Sequence, residues 1–205
     1  ISNINGNVNM QLVVNAGYNM VICRCSEGTS GSGSKDEKYQ LNIANAKKVG
    51  LLTGAYHFAH FKTLEKCKTE IQNFKNCIGS SKPDVIALDQ EQVLSNGVDI
   101  TSLSLYFMDA VSSIAPTLFY ANPDMLQHHC NNAITKYPLW IANYGVNSPS
   151  IKPYSKYALW QYSESGRIGG VSDKIDLNIV SDEFFNEVKG KNYIPPKATA
   201  YVESS

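Results

Sequence analysis

Two carboxylates one residue apart close an apolar run at Pro83-Asp84-Val85-Ile86-Ala87-Leu88-Asp89-Gln90-Glu91. Side chains of an extended chain alternate faces with a period of two, so an extended Val85 to Glu91 presents Asp89 and Glu91 on one side, within reach of one bond. Such a pair suits cleavage of a glycosidic bond, because one carboxyl must stay protonated to donate to the leaving oxygen while its neighbour stays ionised. An isolated D-x-E is more often a strand end with two solvated acids, so the surrounding elements have to decide between the two readings.

Short apolar segments at Met20 to Cys25, Leu51 to Phe58, Val85 to Asp89, Thr117 to Tyr120, Leu139 to Asn143, Ala158 to Tyr162 and Ile175 to Asn178 read as strands, with Ile1-Ser2 as an eighth candidate. Between them, Leu64, Cys67, Ile71, Phe74 and Ile78 recur at helical spacing. Met10 to Ala16 closes at Gly17 and Glu37 to Val49 closes at Gly50. Asn122-Pro123 caps a short helix toward Cys130, and Ser181-Asp182-Glu183 opens a last helix that runs to Lys189. Strands alternating with helices imply a parallel sheet, and about eight strands imply an α/β architecture closed into a barrel, irregular because helices after Leu139 are short or missing.

Barrel enzymes build their sites at the carboxyl ends of the strands. Here those ends carry Ser2-Asn3, Ser26-Glu27, Tyr56-His57, Asp89 with Glu91, Tyr120, Asn143-Tyr144, Gln161-Tyr162 and Asp176 with Asn178. The set describes a cleft with carboxylates at its base and aromatic walls, which suits sugars, whose C–H faces pack on rings while their hydroxyls need amide and carboxylate partners.

The totals bound the alternatives. With 205 residues and 43% hydrophobic, the chain fills one core. Eighteen basic residues balance eighteen acidic ones, which argues against a nucleic-acid partner. No apolar run approaches the roughly 20 residues of a membrane span, and the start lacks the features of a secretory signal, so the expectation is synthesis in the cytosol. Five scattered cysteines read as reduced, mostly buried thiols. Residues 1–190 form the expected catalytic barrel. The segment 191–205, with its Pro195-Pro196 pair, reads either as a linker toward an anchoring domain or as a frayed terminus.

Other motifs carry less. Gly28-Thr29-Ser30-Gly31-Ser32-Gly33-Ser34-Lys35 fits no phosphate-loop template and reads as a flexible rim loop. His57 and His60 of His57-Phe58-Ala59-His60 point apart on a strand, and His128-His129 diverge on a helix, so neither pair is expected to hold a metal. His57 is expected to hydrogen-bond at the rim or inside the barrel. No cofactor is implied.

Five ordered motifs, Gly54-Ala55-Tyr56-His57-Phe58, Ala87-Leu88-Asp89-Gln90-Glu91, Tyr137-Pro138-Leu139-Trp140-Ile141-Ala142-Asn143-Tyr144, Trp160-Gln161-Tyr162 and Ile175-Asp176-Leu177-Asn178, resemble glycoside hydrolase family 25, the Chalaropsis-type lysozymes or N-acetylmuramidases. The resemblance covers about Ile1 to Lys189, and the chain looks like the catalytic domain of an endolysin from a bacteriophage infecting clostridia, which implies synthesis in a host cytoplasm and, on the linker reading of 191–205, a cell-wall-binding domain. It implies an irregular TIM-like β/α barrel and, as partner, bacterial peptidoglycan, cut without a metal at the β-1,4 bond between N-acetylmuramic acid and N-acetylglucosamine. Carried over by position, it implies Glu91 as general acid and then base, Asp89 as its ionised neighbour and Asp176 as a further active-site acid. Tyr56, Tyr120, Trp140 and Tyr162 become ring-lined walls, with Asn143 and Gln161 as polar partners and Glu27 as an organiser of the rim.

The family's first strand begins Asp-Ile-Ser or Asp-Val-Ser with its aspartate in the active site, whereas this chain opens at Ile1-Ser2. Either the sequence opens one residue late, the reading adopted here, or the product lacks that acid and is a catalytically impaired wall-binding module. Retention of configuration is expected, with either Asp89 or the substrate's own acetamido oxygen as nucleophile. A chitinase-like reading fails at Ala87, where that signature requires an acid.

Overall fold

A computed structural model describes residues 1–29, 31, 34–93 and 98–190; the 191–205 tail and part of the Gly28 to Lys35 loop lie outside the described residues. In chain order the elements are α1 (Met10–Asn15), β1 (Met20–Glu27), α2 (Tyr39–Lys48), β2 (Leu52–Phe58), α3 (Leu64–Ile78), β3 (Val85–Asp89), α4 (Ile100–Val111), β4 (Thr117–Ala121), β5 (Leu139–Ala142), β6 (Leu159–Gly166), β7 (Ile175–Val180) and α5 (Asp182–Gly190). The seven strands form one sheet in sequence order, parallel from β1 to β6, with β7 antiparallel to β6.

Two of the sequence expectations change. The sheet is not wholly parallel, because a hairpin of eight residues between Gly166 and Ile175 is too short for a crossover and returns β7 antiparallel. Ile1-Ser2 makes no eighth strand. The Ile1 amino group donates to Ile22 O at 2.8 Å and Arg24 N donates to Ile1 O at 2.8 Å, but Ser2 then caps a single 3-10 turn at Asn3–Asn5. Asn5 Nδ2 reaches Lys174 O at 3.0 Å, so this segment bridges the sheet's two edge strands.

Strand alternation sorts the core into two layers. Val85, Ala87, Leu118, Tyr120, Trp140 and Leu159 face the barrel interior, where Phe184 and Val188 of α5 join them. Val21, Cys23, Ala55, Ile86, Leu88, Phe119 and Ile141 face outward against the helices. All five cysteines are free thiols, four of them buried. Interior space is tight at Gly54, where an added Cβ meets Ile22 Cγ1 at 2.7 Å and Val85 Cγ2 at 2.8 Å. Only glycine lets the β1, β2 and β3 backbones close there. Among the described residues no helix is long and apolar enough to cross a membrane.

Helix ends follow local chemistry. Thr63 accepts from Lys66 N to start α3, Asp99 accepts from Ser102 N to start α4, and Gly17 and Gly50 adopt φ of 90° and 81° just past α1 and α2. The short helix after Asn122-Pro123 is capped by Asn122 Oδ1, which accepts from Met125 N at 2.9 Å, and winds as a π-turn over Met125–His129.

Candidate active site

Register carries side chains to one rim. Phe58 pairs with Asp89, Asp89 with Tyr120 and Tyr120 with Trp140, so the four share an inward-facing row across β2 to β5. Gln161 pairs with Asn178 on the hairpin that closes the row, and alternation along β7 turns Asp176 the same way. β3 ends at Asp89 and Glu91 lies just past it, yet both carboxylates reach the same cavity of about 510 Å³, together with Arg24, Tyr56, Tyr120, Trp140, Gln161 and Asp176.

The walls are hydrogen-bonded in place. Tyr120 and Trp140 meet edge to face at 4.9 Å, and Trp140 Nε1 donates to Asn178 Oδ1 at 2.8 Å. The Tyr120 and Tyr144 hydroxyls both donate to Gln161 Oε1, at 2.5 and 3.0 Å. Burial and then the charge of Asp89 push the Tyr56 and Tyr120 phenols well above their ordinary range, so both stay protonated donors.

Asp89 is the buried member of the acid pair, and its Oδ1 has no hydrogen-bond partner among the described residues. Its pKa is raised well above the carboxylate range by burial first, then by the charge of Glu91 and the hydrogen bond to it, with Asp176 and Glu27 adding. Glu91 is solvent-exposed within the concave wall. Its pKa is raised too, by desolvation and by Asp176 and Glu164, while the hydrogen bond from Asp89 opposes the rise. Both carboxyls therefore bind a proton more tightly than an ordinary side-chain acid, and the pair titrates as a unit above the usual carboxylate range. Asp176 is raised by desolvation first and then by the charge of Glu164.

Two anticipated residues stand apart from this lining. Asn143 spends its side chain on Ser150 N at 2.9 Å and its carbonyl on Trp160 Nε1 at 2.8 Å, ordering the β5–β6 connection. Tyr162 follows inward-facing Gln161 and packs edge to face on outward-facing Trp160 at 6.2 Å. His57 is neither at the rim nor inside the barrel. It points outward into the sheet–helix layer, between Ser26 Oγ at 2.8 Å and Glu70 Oε2 at 2.9 Å, and burial lowers its pKa. Glu27 accepts from Arg24 at 3.2 Å and pairs with His60 at 3.1 Å at the rim.

Arg24 and Glu164 were not anticipated. Arg24 faces the cavity, held by Glu27, by Asp36 at 3.3 Å and by Asn3 at 2.6 Å. Its signal in the sequence is a lone cation inside an apolar strand. No spacing pattern exposes Glu164, since its approach to Glu91 and Asp176 depends on two register shifts in β6, one between Gln161 and Ser163 and one between Ser163 and Gly166.

Comparison with known proteins agrees with this arrangement. The model of the glycosyl hydrolases family 25 matches residues 1–171. The chain belongs to that family. The crystal structure of the CTP1L endolysin is similar at 40% identity and a TM-score of 0.86, over 95% of this chain and 69% of that one. Lysozyme M1 of Streptomyces globisporus is 26% identical over 194 residues, 87% of this chain and 65% of its own length. The autolytic lysozyme of Clostridium acetobutylicum is 29% identical over 180 residues, 86% of this chain and 53% of its own length. The chain thus spans between half and two thirds of these two curated relatives.

Proposed function

We propose that the protein is a peptidoglycan hydrolase of the endolysin kind, a lysozyme-type muramidase that cleaves the β-1,4 bond between N-acetylmuramic acid and N-acetylglucosamine with retention and acts on the bacterial cell wall. The observation that carries the reading is a pair of carboxyls at the floor of an aromatic cleft, Asp89 buried and Glu91 accessible, in a family 25 chain.

Glu91 is the member open to a ligand, so it delivers its proton to the glycosidic oxygen as positive charge builds at the anomeric carbon. Its raised pKa keeps a donor available above the ordinary carboxylate range. Asp89, buried beneath it, leaves Glu91 ionised after the transfer and is too enclosed to be the first choice as nucleophile. The substrate's acetamido oxygen takes that role, closing on the anomeric carbon while Asp176, which opens onto the cleft, accepts from the acetamido N–H. Water then opens the cyclic intermediate with Glu91 as base. Tyr56, Tyr120 and Trp140 supply ring surface and protonated donors for the sugar.

Glu91→Gln keeps size and polarity but has no proton to deliver. Release of new reducing ends from purified walls should fall by at least about 10²-fold, the scale of general-acid catalysis, while wall binding persists. Retained turnover in that variant refutes the assignment of Glu91. A wild-type protein that binds walls but releases no reducing ends is a binding module instead.

A further inference from the structure

Arg24 is the one cationic side chain among the described residues that line the cleft, and it is gripped from three directions. Its Nε lies 3.3 Å from Asp36 Oδ2, its Nη1 lies 3.2 Å from Glu27 Oε2, and its Nη2 donates to Asn3 Oδ1 at 2.6 Å. A guanidinium suits this task, since its five N–H groups leave in a fixed planar fork, whereas an ammonium is a single point of charge. The two carboxylates are held in turn. Glu27 Oε1 pairs with His60 Nε2 at 3.1 Å, and the Asp36 side chain, only 1% exposed, accepts from Asn3 N at 2.8 Å and from Lys38 N at 2.9 Å. One ion pair therefore binds Asn3 twice, by its backbone to Asp36 and by its amide oxygen to Arg24.

Asn3 opens the 3-10 turn that stands where an eighth strand was expected, and the far end of that turn is fixed as well. Asn5 Oδ1 accepts from Ser2 N at 2.8 Å, which orients its NH2 group to donate to Lys174 O at 3.0 Å, two residues before Asp176. The sheet order runs from β1 to β7 with no pairing between those two strands, so this turn supplies the hydrogen bonds across the gap. Ser2, Arg24 and Asp176 line the same cavity as Asp89 and Glu91.

We propose that Arg24, acting with Asp36, is a positioning residue: the pair clasps Asn3, anchors the turn between β1 and β7, and so fixes Asp176 across the cleft from Asp89 and Glu91. The proposal deepens the muramidase reading and rests on it only for the use made of Asp176. A grip on an anionic group of the ligand is disfavoured by the same contacts, because Glu27 and Asp36 already set two carboxylates against one guanidinium.

The test pairs amide hydrogen exchange, read by NMR, with kinetics on purified cell walls. Asn3→Ala removes only the acceptor of Arg24 Nη2, and Arg24→Gln leaves a polar side chain too short to meet three partners. In Asn3→Ala the Asn5 amide, which donates to Ser2 O at 3.1 Å, should exchange at least about tenfold faster, while the Ile86 amide, bonded to Pro116 O at 2.7 Å, keeps its rate. The kcat for release of reducing ends should fall by about tenfold with KM changed less than about twofold, the signature of misplacement rather than lost binding. Arg24→Gln should do the same, and the double variant should lose little more than Arg24→Gln alone, because both act on one contact. Unchanged Asn5 exchange in Asn3→Ala overturns the clasp whatever happens to turnover, even if Arg24→Gln fails to fold. Exchange quickened equally at Asn5 and Ile86 marks a purely structural contact and also overturns it. An Arg24→Gln loss that lies in KM and adds in full to that of Asn3→Ala places Arg24 on the ligand instead. A wild-type protein that releases no reducing ends sinks the muramidase reading, and the exchange rates still decide the clasp.

Discussion

Asp89 shows how a site residue sets stability against chemistry. A carboxyl whose pKa is raised in the folded state binds its proton more tightly there than in the unfolded chain. Folding stability therefore declines as pH climbs from the ordinary carboxylate range through the raised value, and above it the buried charge destabilises in full. Asp89→Asn should stabilise the protein at neutral pH by about 0.5–2 kcal/mol, the range for relieving functional strain, while activity falls. The gain should vanish as pH drops into the ordinary carboxylate range. Urea unfolding at neutral and acidic pH reads this directly, and a variant less stable at neutral pH, or equally shifted at both, contradicts it. Residues of this kind were legible in the sequence because type and spacing alone mark them: D-x-E at a strand end, a Trp and tyrosines at others. Which carboxyl is buried and which stays open was not legible, since depth is a property of the packed barrel.

At the scale of elements, the β6–β7 hairpin does what periodicity could not foretell. Two register shifts in β6 bring Glu164 toward Glu91 and Asp176, and Gly166 permits the close pairing, because a Cβ there would lie 2.4 Å from Leu177 Cγ. The charge of Glu164 raises the proton affinity of both acids. Glu164→Gln should therefore move both limbs of the pH–activity profile to lower pH, by about a few tenths of a unit because Glu164 is exposed and screened. High salt should erase the difference between the two proteins, and a profile shifted upward or insensitive to salt would remove Glu164 from the site. Helix α4 was the other unseen element. Ile100, Leu103, Phe107 and Val111 are buried at helical spacing, but Leu105, Tyr106 and Met108 fill in around that stripe and blur it in the sequence, unlike α3 with its cleaner stripe from Cys67 to Ile78.

The whole molecule is a barrel finished by devices other than strands. The seven strands were readable from their apolar runs and the glycines between them, since short buried strands and C-terminal glycines are local signals. A barrel was expected, but the means of closing it were not readable, because they rest on contacts between distant parts of the chain: residues 1–5 bridging β1 and the β7 side, and α5 capping the interior. α5 follows β7 at the end where β5 and β6 begin, and Ser181 N donates to Ala158 O at 2.8 Å there, so Phe184 and Val188 enter the barrel from the face opposite the cleft. Phe184 is 4% exposed within the interior cluster that also holds Tyr120 and Trp140. Phe184→Ala should cost about 3–5 kcal/mol, the sum of lost transfer energy and the void left beneath the cleft. At low temperature the folded fraction should keep its turnover, since the carboxylates and their partners lie at the other rim. Chemical unfolding with parallel activity assays checks both halves: a loss under about 1 kcal/mol would show that α5 does not seal the barrel, and a turnover lost in step with stability would tie the floor to the cleft.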